Sequence, residues 1–286
     1  LVGWADVVLE SFTPGTMARF GLDWETLSRD RPDLMMISTC LRGQTGPQRA
    51  FGGFGFQGAA LAGLTAITGW PDRVPAGPYA AYTDFINPRF GTAALVAAIY
   101  ERNRSGLGQY IDLSQVEAAL HFIEPLLLDY TVNGRVAEAA GHDSLTECPH
   151  GVYPARGVER YVAVSVTTTD QWRALVAAVG APLEAFAGPA FDAFSARLAA
   201  RAEIDIALGS WTAAQDPYLL EERLRRAGVP ASVVQWPTDL YRDPQLAHRG
   251  FFRWLEHAVM GPTPYDGPAT HYSRTPAVLS AAPALG

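Results

Sequence analysis

Two short apolar runs, Val7 to Glu10 and Leu34 to Ser38, stand about thirty residues apart, with a helical segment opened by Pro14 between them. Strand, helix, strand at this spacing is a βαβ unit. Its strands run parallel and its crossover is right-handed. The chain is therefore an α/β protein in its first part.

The stretch Tyr79 to Gln115 adds a second set of constraints. Asn87 is placed to cap a helix, and Pro88 suits its first turn. Phe90, Ala93, Ala94, Ala97 and Ala98 recur at helical spacing and make one apolar face. Arg102 and Arg104 fall at the end of that helix, where cations suit the dipole, and Ser105-Gly106 stops it. Tyr110 to Leu113 alternates as a short strand. Ser114-Gln115-Val116-Glu117 reads as a capping box that opens a helix to about Asn133-Gly134, kinked at Pro125. Asp84 lies in an aromatic loop just ahead of the first helix. A helix N-terminus favours a nearby anion, so Asp84 is available as a nucleophile. By spacing alone the commoner reading is one more acid at a helix start, where acids are frequent.

Composition removes several classes of function. There are 22 basic and 29 acidic residues, a net charge of −7, which speaks against a nucleic-acid partner. Every basic residue is Arg, so Schiff-base chemistry and the Walker lysine are excluded. Cys40 and Cys148 form no CxxC pair, and they are expected to be free thiols of a cytoplasmic protein. The six histidines are scattered without ligand spacing, so no metal site is expected. No run is apolar and long enough to span a membrane. Gly43-Gln44-Thr45-Gly46-Pro47 follows a strand but lacks the G-x-G-x-x-G spacing of a dinucleotide site.

In their order along the chain these motifs resemble the class III CoA-transferases, the family of formyl-CoA transferase, carnitine CoA-transferase and α-methylacyl-CoA racemase. The family's central signature is an Asp, a helix, an Arg, T/S-G-x-G-Q and a strand ending in D-x-S. Asp84, Arg102, Ser105, Gly106, Gly108, Gln109, Asp112 and Ser114 carry it here. Phe12, Pro14, Gly15, Arg19, Gly21 and Leu22 match N-F-R-P-G-x-x-x-R-L-G-L, with Ser11 and Thr13 replacing Asn and Arg. The loop from Gly43 matches G-F-G-Q-T-G-P except for Leu41 at the first Gly. Gly228-Val229-Pro230-Ala231 and Asp243 to Phe252 match two later motifs. The resemblance covers essentially the whole chain.

It implies a Rossmann-like α/β large domain, a smaller inserted α/β domain and an interlinked homodimer. The expected division is a CoA-binding part over 1–120, a linker helix over 121–140, a small domain over 141–236 and a return to the large domain over 237–286. The implied activity moves CoA from an acyl-CoA to a carboxylic acid. Coenzyme A and its thioesters are then substrates, and no cofactor is tightly bound. Asp84 is the implied catalytic carboxylate. Ser11, Phe12, Thr13, Arg19, Gly53 and Phe54 are the implied CoA contacts, with Arg19 suited to a phosphate.

Two alternatives stand beside this one. The racemase branch carries a His where Phe54 stands, and Phe cannot exchange a proton. A non-catalytic CoA-binding module is the other, because the ends resemble those of a piece of a longer chain. At the far end the family usually continues beyond Pro283 to Gly286. The covering loop of the family is Gly-rich, whereas Gly141 to Pro149 is poorer in Gly. Trp70, Tyr79, Tyr82, Phe85 and Phe90, with Phe51, Phe54 and Phe56, are expected to wall an apolar pocket. F-G-F-Q-G-A-A-L-A-G-L and Y-T-D-F-I-N-P-R-F are similar to the benzylsuccinate branch, which implies an aromatic acid as acceptor and succinyl-CoA as donor.

Overall fold

The computed structural model describes residues 1–284. Leu285 and Gly286, the last of the residues where the family is expected to continue, lie outside the described residues. Internal contacts gather the chain into two compact units, Leu1–Gly141 and His142–Gly286.

The first unit contains β1 (Val7–Glu10), α1 (Thr16–Arg19), α2 (Trp24–Asp30), β2 (Met35–Cys40), α3 (Gly55–Leu61), α4 (Tyr82–Ser105), β3 (Tyr110–Ser114), α5 (Gln115–Leu120) and α6 (Glu124–Asn133). Its strands form one sheet in the order β1-β2-β3. Both pairings are parallel, with Val7 opposite Met35 and Met36 opposite Tyr110. Met35, Met36 and Ile37 are buried in succession, as expected of a central parallel strand covered on both faces. Asp23 caps α2 by accepting the Thr26 N–H at 2.9 Å. Ala59, Ala62, Leu64, Ile86, Ala118, Ala119 and Ile123 make a core of mostly small residues. Such residues let α3, α4 and α5 approach closely.

Three local expectations are corrected. Helix α4 starts at Tyr82, so Asn87 is not its cap. Asn87 is buried inside the helix, and its Nδ2 donates to Thr39 Oγ1 of β2. This long-range contact holds Asn87 helical although Pro88 follows it. Pro88 lies inside the helix and has no N–H for the Asp84 carbonyl one turn back. The helix after Ser114 is two helices, with Pro125 in the first turn of α6 rather than at a kink. Helix α3 ends at Leu61 and gives way to turns. At the other end of α4, Gly106 (φ 75°) stops the helix as expected and donates its N–H to the Arg102 carbonyl at 2.8 Å.

The second unit contains β4 (His150–Pro154), β5 (Tyr161–Ser165), α7 (Thr169–Val179), α8 (Phe194–Ala199), α9 (Arg201–Thr212), α10 (Pro217–Arg226), β6 (Ala231–Val233), α11 (Pro237–Leu240), α12 (Pro244–His248), β7 (Phe252–His257) and β8 (Gly261–Asp266). β4, β5 and β6 form an antiparallel sheet, and β7 and β8 a separate hairpin. Val162 and Val164 of β5 face Trp172, Leu175, Leu208 and Leu224 in one apolar core. Arg197 is buried beside it and donates to the carbonyls of Cys148, Phe191 and Asp192, each at 2.9 Å. The residues after 236 cluster with this unit. Arg160 pairs with Asp239 at 2.7 Å, and Trp236 Nε1 donates to the Glu159 carbonyl at 3.1 Å. Arginine supplies the cation in ion pairs of both units, as a chain without lysine requires, and the His150 ring lies 3.0 Å from the Glu147 carboxylate. No helix among the described residues is long and apolar enough to cross a membrane.

Candidate active site

Asp84 sits in the first turn of α4, its N–H donating to the Ala81 carbonyl at 2.9 Å. The first residue of α3, Gly55, backs onto it. A Cβ on Gly55 would stand 2.7 Å from Asp84 Cγ and 2.8 Å from the Ala81 carbonyl oxygen. Only glycine fits there. One turn on, a Cβ at Gly58 would lie 2.4 Å from Thr83 Oγ1. Helix α3 thus uses two glycines to lie against the start of α4.

Gln115, the first residue of α5, completes the setting. Its Nε2 donates to Asp84 Oδ1 at 2.8 Å. Thr83 Oγ1 lies 3.0 Å from the Gly55 carbonyl oxygen and 3.4 Å from Gln115 Oε1, so its one proton is shared between two acceptors. That contact faces the amide oxygen of Gln115 toward Thr83 and its NH2 toward Asp84. Asp84 Oδ2 receives no hydrogen bond from any described residue.

The carboxylate opens onto a pocket of about 270 Å³. The loop after β1 supplies Ser11, Phe12, Thr13 and Pro14, and the end of β2 supplies Thr39, Cys40 and Leu41. Phe51 to Phe54, Asp84 and Gln115 complete the lining. The pocket therefore lies beyond the carboxyl ends of two parallel strands, where open α/β sheets bind ligands. Buried Glu10 holds the first loop by accepting the Phe12 N–H at 2.7 Å. Burial pushes the Cys40 thiol pKa up, which keeps it protonated.

Six of the seven residues singled out from the sequence meet in this pocket: Asp84, Ser11, Phe12, Thr13, Gly53 and Phe54. Arg19 does not line it. Arg19 is exposed on α1, with Nη2 donating to Thr16 Oγ1 at 3.0 Å. The aromatic wall is broken up. Phe51 and Phe54 line the pocket, joined by Phe12, but Phe90 packs on His121 and Phe122. Tyr79 and Phe85 point to solvent.

The rest of the signature builds the scaffold. Both carboxylate oxygens of Asp112 accept the Gln44 N–H, at 2.9 and 3.0 Å, and hold the Gly43 to Pro47 loop. Ser114 caps α5 through the Glu117 N–H at 3.3 Å. Arg102 pairs with Asp6 at 2.9 Å. Gly108 donates to the Pro32 carbonyl at 2.8 Å, and a Cβ on it would lie 1.7 Å from the Leu34 oxygen. Sequence reasoning missed Gln115, Thr83, Thr39 and Gly55. Gln115 is visible in the sequence only as part of a helix start. The Gly55/Gly58 spacing, one helical turn, is the one available sign of a close approach.

The sequence profile described as CoA-transferase family III matches residues 1–286. The succinyl-CoA–D-citramalate CoA-transferase of Chloroflexus aurantiacus is 31% identical to the chain, over 100% of it and 71% of that protein. The succinyl-CoA:mesaconate CoA-transferase of Haloarcula marismortui is 31% identical, over 87% of the chain and 62% of that protein. A crystal structure of a CAIB/BAIF family protein from Brucella suis superposes with a TM-score of 0.89 at 26% identity, over 99% of this chain and 73% of that one. On this fold, these motifs and these likenesses, the chain belongs to CoA-transferase family III.

Proposed function

We propose that the protein is an acyl-CoA:carboxylate CoA-transferase with Asp84 as its nucleophile. One observation carries the reading: a carboxylate with one unbonded oxygen faces a pocket at the strand ends. Asp84 attacks the donor thioester and expels CoA thiolate, leaving a mixed anhydride. The thiolate then takes the aspartyl carbonyl and releases the donor acid, leaving an aspartyl-CoA thioester. The acceptor acid reverses these steps. Gly52 and Gly53 line the pocket, and in this reading their backbone N–H groups meet the oxyanions. Ser11, Phe12, Thr13, Gly53 and Phe54 hold the thioester end of the acyl-CoA. Arg19, outside the pocket, suits the phosphate end. The racemase alternative is disfavoured because Phe54, which stands where that branch carries a His, lines the pocket and cannot exchange a proton.

For the acceptor, the pocket favours a short acid over an aryl one. Ser11, Thr13 and Thr39 line it beside Phe12, Phe51 and Phe54, and most of the expected rings lie elsewhere. The relatives' names pair succinyl-CoA with citramalate, malate and mesaconate. A short dicarboxylate with succinyl-CoA as donor is the resulting proposal. An interlinked homodimer belongs to the same reading, as does a cytoplasmic location, which two free thiols suit. Incubation of the full chain with succinyl-CoA and citramalate, malate, mesaconate, glutarate or benzylsuccinate tests it by chromatography of the CoA esters. A new dicarboxyl-CoA is expected with the wild type and none with Asp84→Ala. Equal turnover by Asp84→Ala overturns the nucleophile, and preference for benzylsuccinate overturns the acceptor class.

A further inference from the structure

We infer that Gln115 is a catalytic residue of this transfer, the hydrogen-bond donor to the oxyanion that forms on Asp84 itself. The inference rests on the transferase reading above. Asp84 Oδ1 accepts from Gln115 Nε2 at 2.8 Å and is backed by Gly55, whose added Cβ would stand 2.8 Å from that same oxygen. Oδ2 carries no such bond. The two oxygens therefore have different fates.

Oδ2 attacks the donor thioester carbon, the C–S bond breaks and the electron pair leaves as CoA thiolate. In the anhydride, Oδ2 is the bridging atom and Oδ1 the aspartyl carbonyl oxygen. The thiolate next attacks Asp84 Cγ. The negative charge of that tetrahedral intermediate falls on Oδ1, against the Gln115 N–H. Its collapse breaks the Cγ–Oδ2 bond, so the donor acid departs carrying Oδ2. The acceptor carboxylate then attacks the same Cγ in the thioester, and the charge returns to Oδ1. It expels the thiolate and leaves one of its own oxygens in the Oδ2 position when the cycle closes. Both tetrahedral intermediates at Cγ thus use one preformed donor. The donor is preformed because Thr83 Oγ1, 3.4 Å from Gln115 Oε1, orients the amide.

The test is exchange between succinyl-CoA and ¹⁸O-labelled succinate by the full chain, compared with Gln115→Leu and Gln115→Glu. Leu keeps bulk and loses the donor. Loss of one oxyanion donor lowers kcat by about 10²–10³-fold, and KM for succinyl-CoA barely moves. In the wild type, the Asp84 peptide gains one ¹⁸O and no second. After the same number of turnovers Gln115→Leu gains two, because the freed carboxylate rotates between cycles. In Gln115→Glu a second carboxylate beside Asp84 moves the acid limb of the rate profile to higher pH, since neighbouring carboxylates resist joint ionisation. This variant carries the test should Gln115→Leu not fold. Variants that exchange at the wild-type rate, or two labels in the wild type, overturn the inference alone. A wild type that exchanges no label overturns the transferase reading and this inference with it.

Discussion

A single Cβ decides whether Asp84 can stand where it does. Gly55→Ala places a carbon 2.7 Å from Asp84 Cγ, and the neighbouring backbone at Ala81 leaves it no room. The carboxylate must swing off Gln115. A displacement of that order costs about 100-fold in rate, and the clash with the Ala81 carbonyl lowers stability by about 1–3 kcal/mol, which steady-state assay and calorimetry check together. Arg19→Ala belongs to the same scale. It is expected to weaken CoA binding by about 1.5–3 kcal/mol, the worth of a hydrogen bond to a charged group, while saturated turnover persists. Titration calorimetry with CoA reads it, and an unchanged Kd removes Arg19 from the site. The place of Asp84 in the pocket was legible in the sequence because an acid at a helix start and a familiar motif coincide there, although it lies within the first turn of α4 rather than in the loop ahead of it. Gln115 was not, because its partner lies 31 residues away and nothing local distinguishes a helix-opening Gln from one that holds a carboxylate.

Elements were legible where their signals are local. Val7–Glu10 and Tyr110–Ser114 are strands because short apolar or alternating runs between turn residues leave no other periodicity. The start of α4 was misplaced because Asn87 is a good cap by type, yet its contact with Thr39 is tertiary. The Gly108 turn between α4 and β3 carries a stability prediction. Gly108→Ala forces a carbon onto the Leu34 carbonyl, 1.7 Å away, and neither backbone can yield. The cost is about 3 kcal/mol, the upper end of overpacking, measurable as a lowered urea midpoint. In α9, burial pushes the Asp205 carboxyl above its ordinary value of 3.8, with the Tyr153 hydroxyl donating to Oδ1 at 2.6 Å. The folded state then holds this proton more tightly than the unfolded chain. Its contribution to stability falls as pH rises from about 4 through the raised value. Asp205→Asn keeps an acceptor for Tyr153 and is expected to flatten that part of the pH profile, read from urea midpoints.

At the scale of the whole molecule, the first unit leaves apolar residues uncovered on two helices. Val96 and Tyr100 of α4, and Leu128 and Val132 of α6, are all at least 60% exposed. The proposed dimer accounts for them, and Leu128→Glu with Val132→Glu is expected to shift sedimentation from dimer toward monomer. No sequence pattern distinguishes such a face from a core face, because the periodicity is the same and only the partner differs. The absence of lysine from the ion pairs has a consequence of another kind. Succinyl-CoA and mixed anhydrides acylate neutral amines, and over a working lifetime a lysine-bearing enzyme accumulates such scars on its own surface. A guanidinium stays protonated and does not compete for the acyl group. A transferase whose side-chain cations are arginines handles reactive acyl donors without corroding itself.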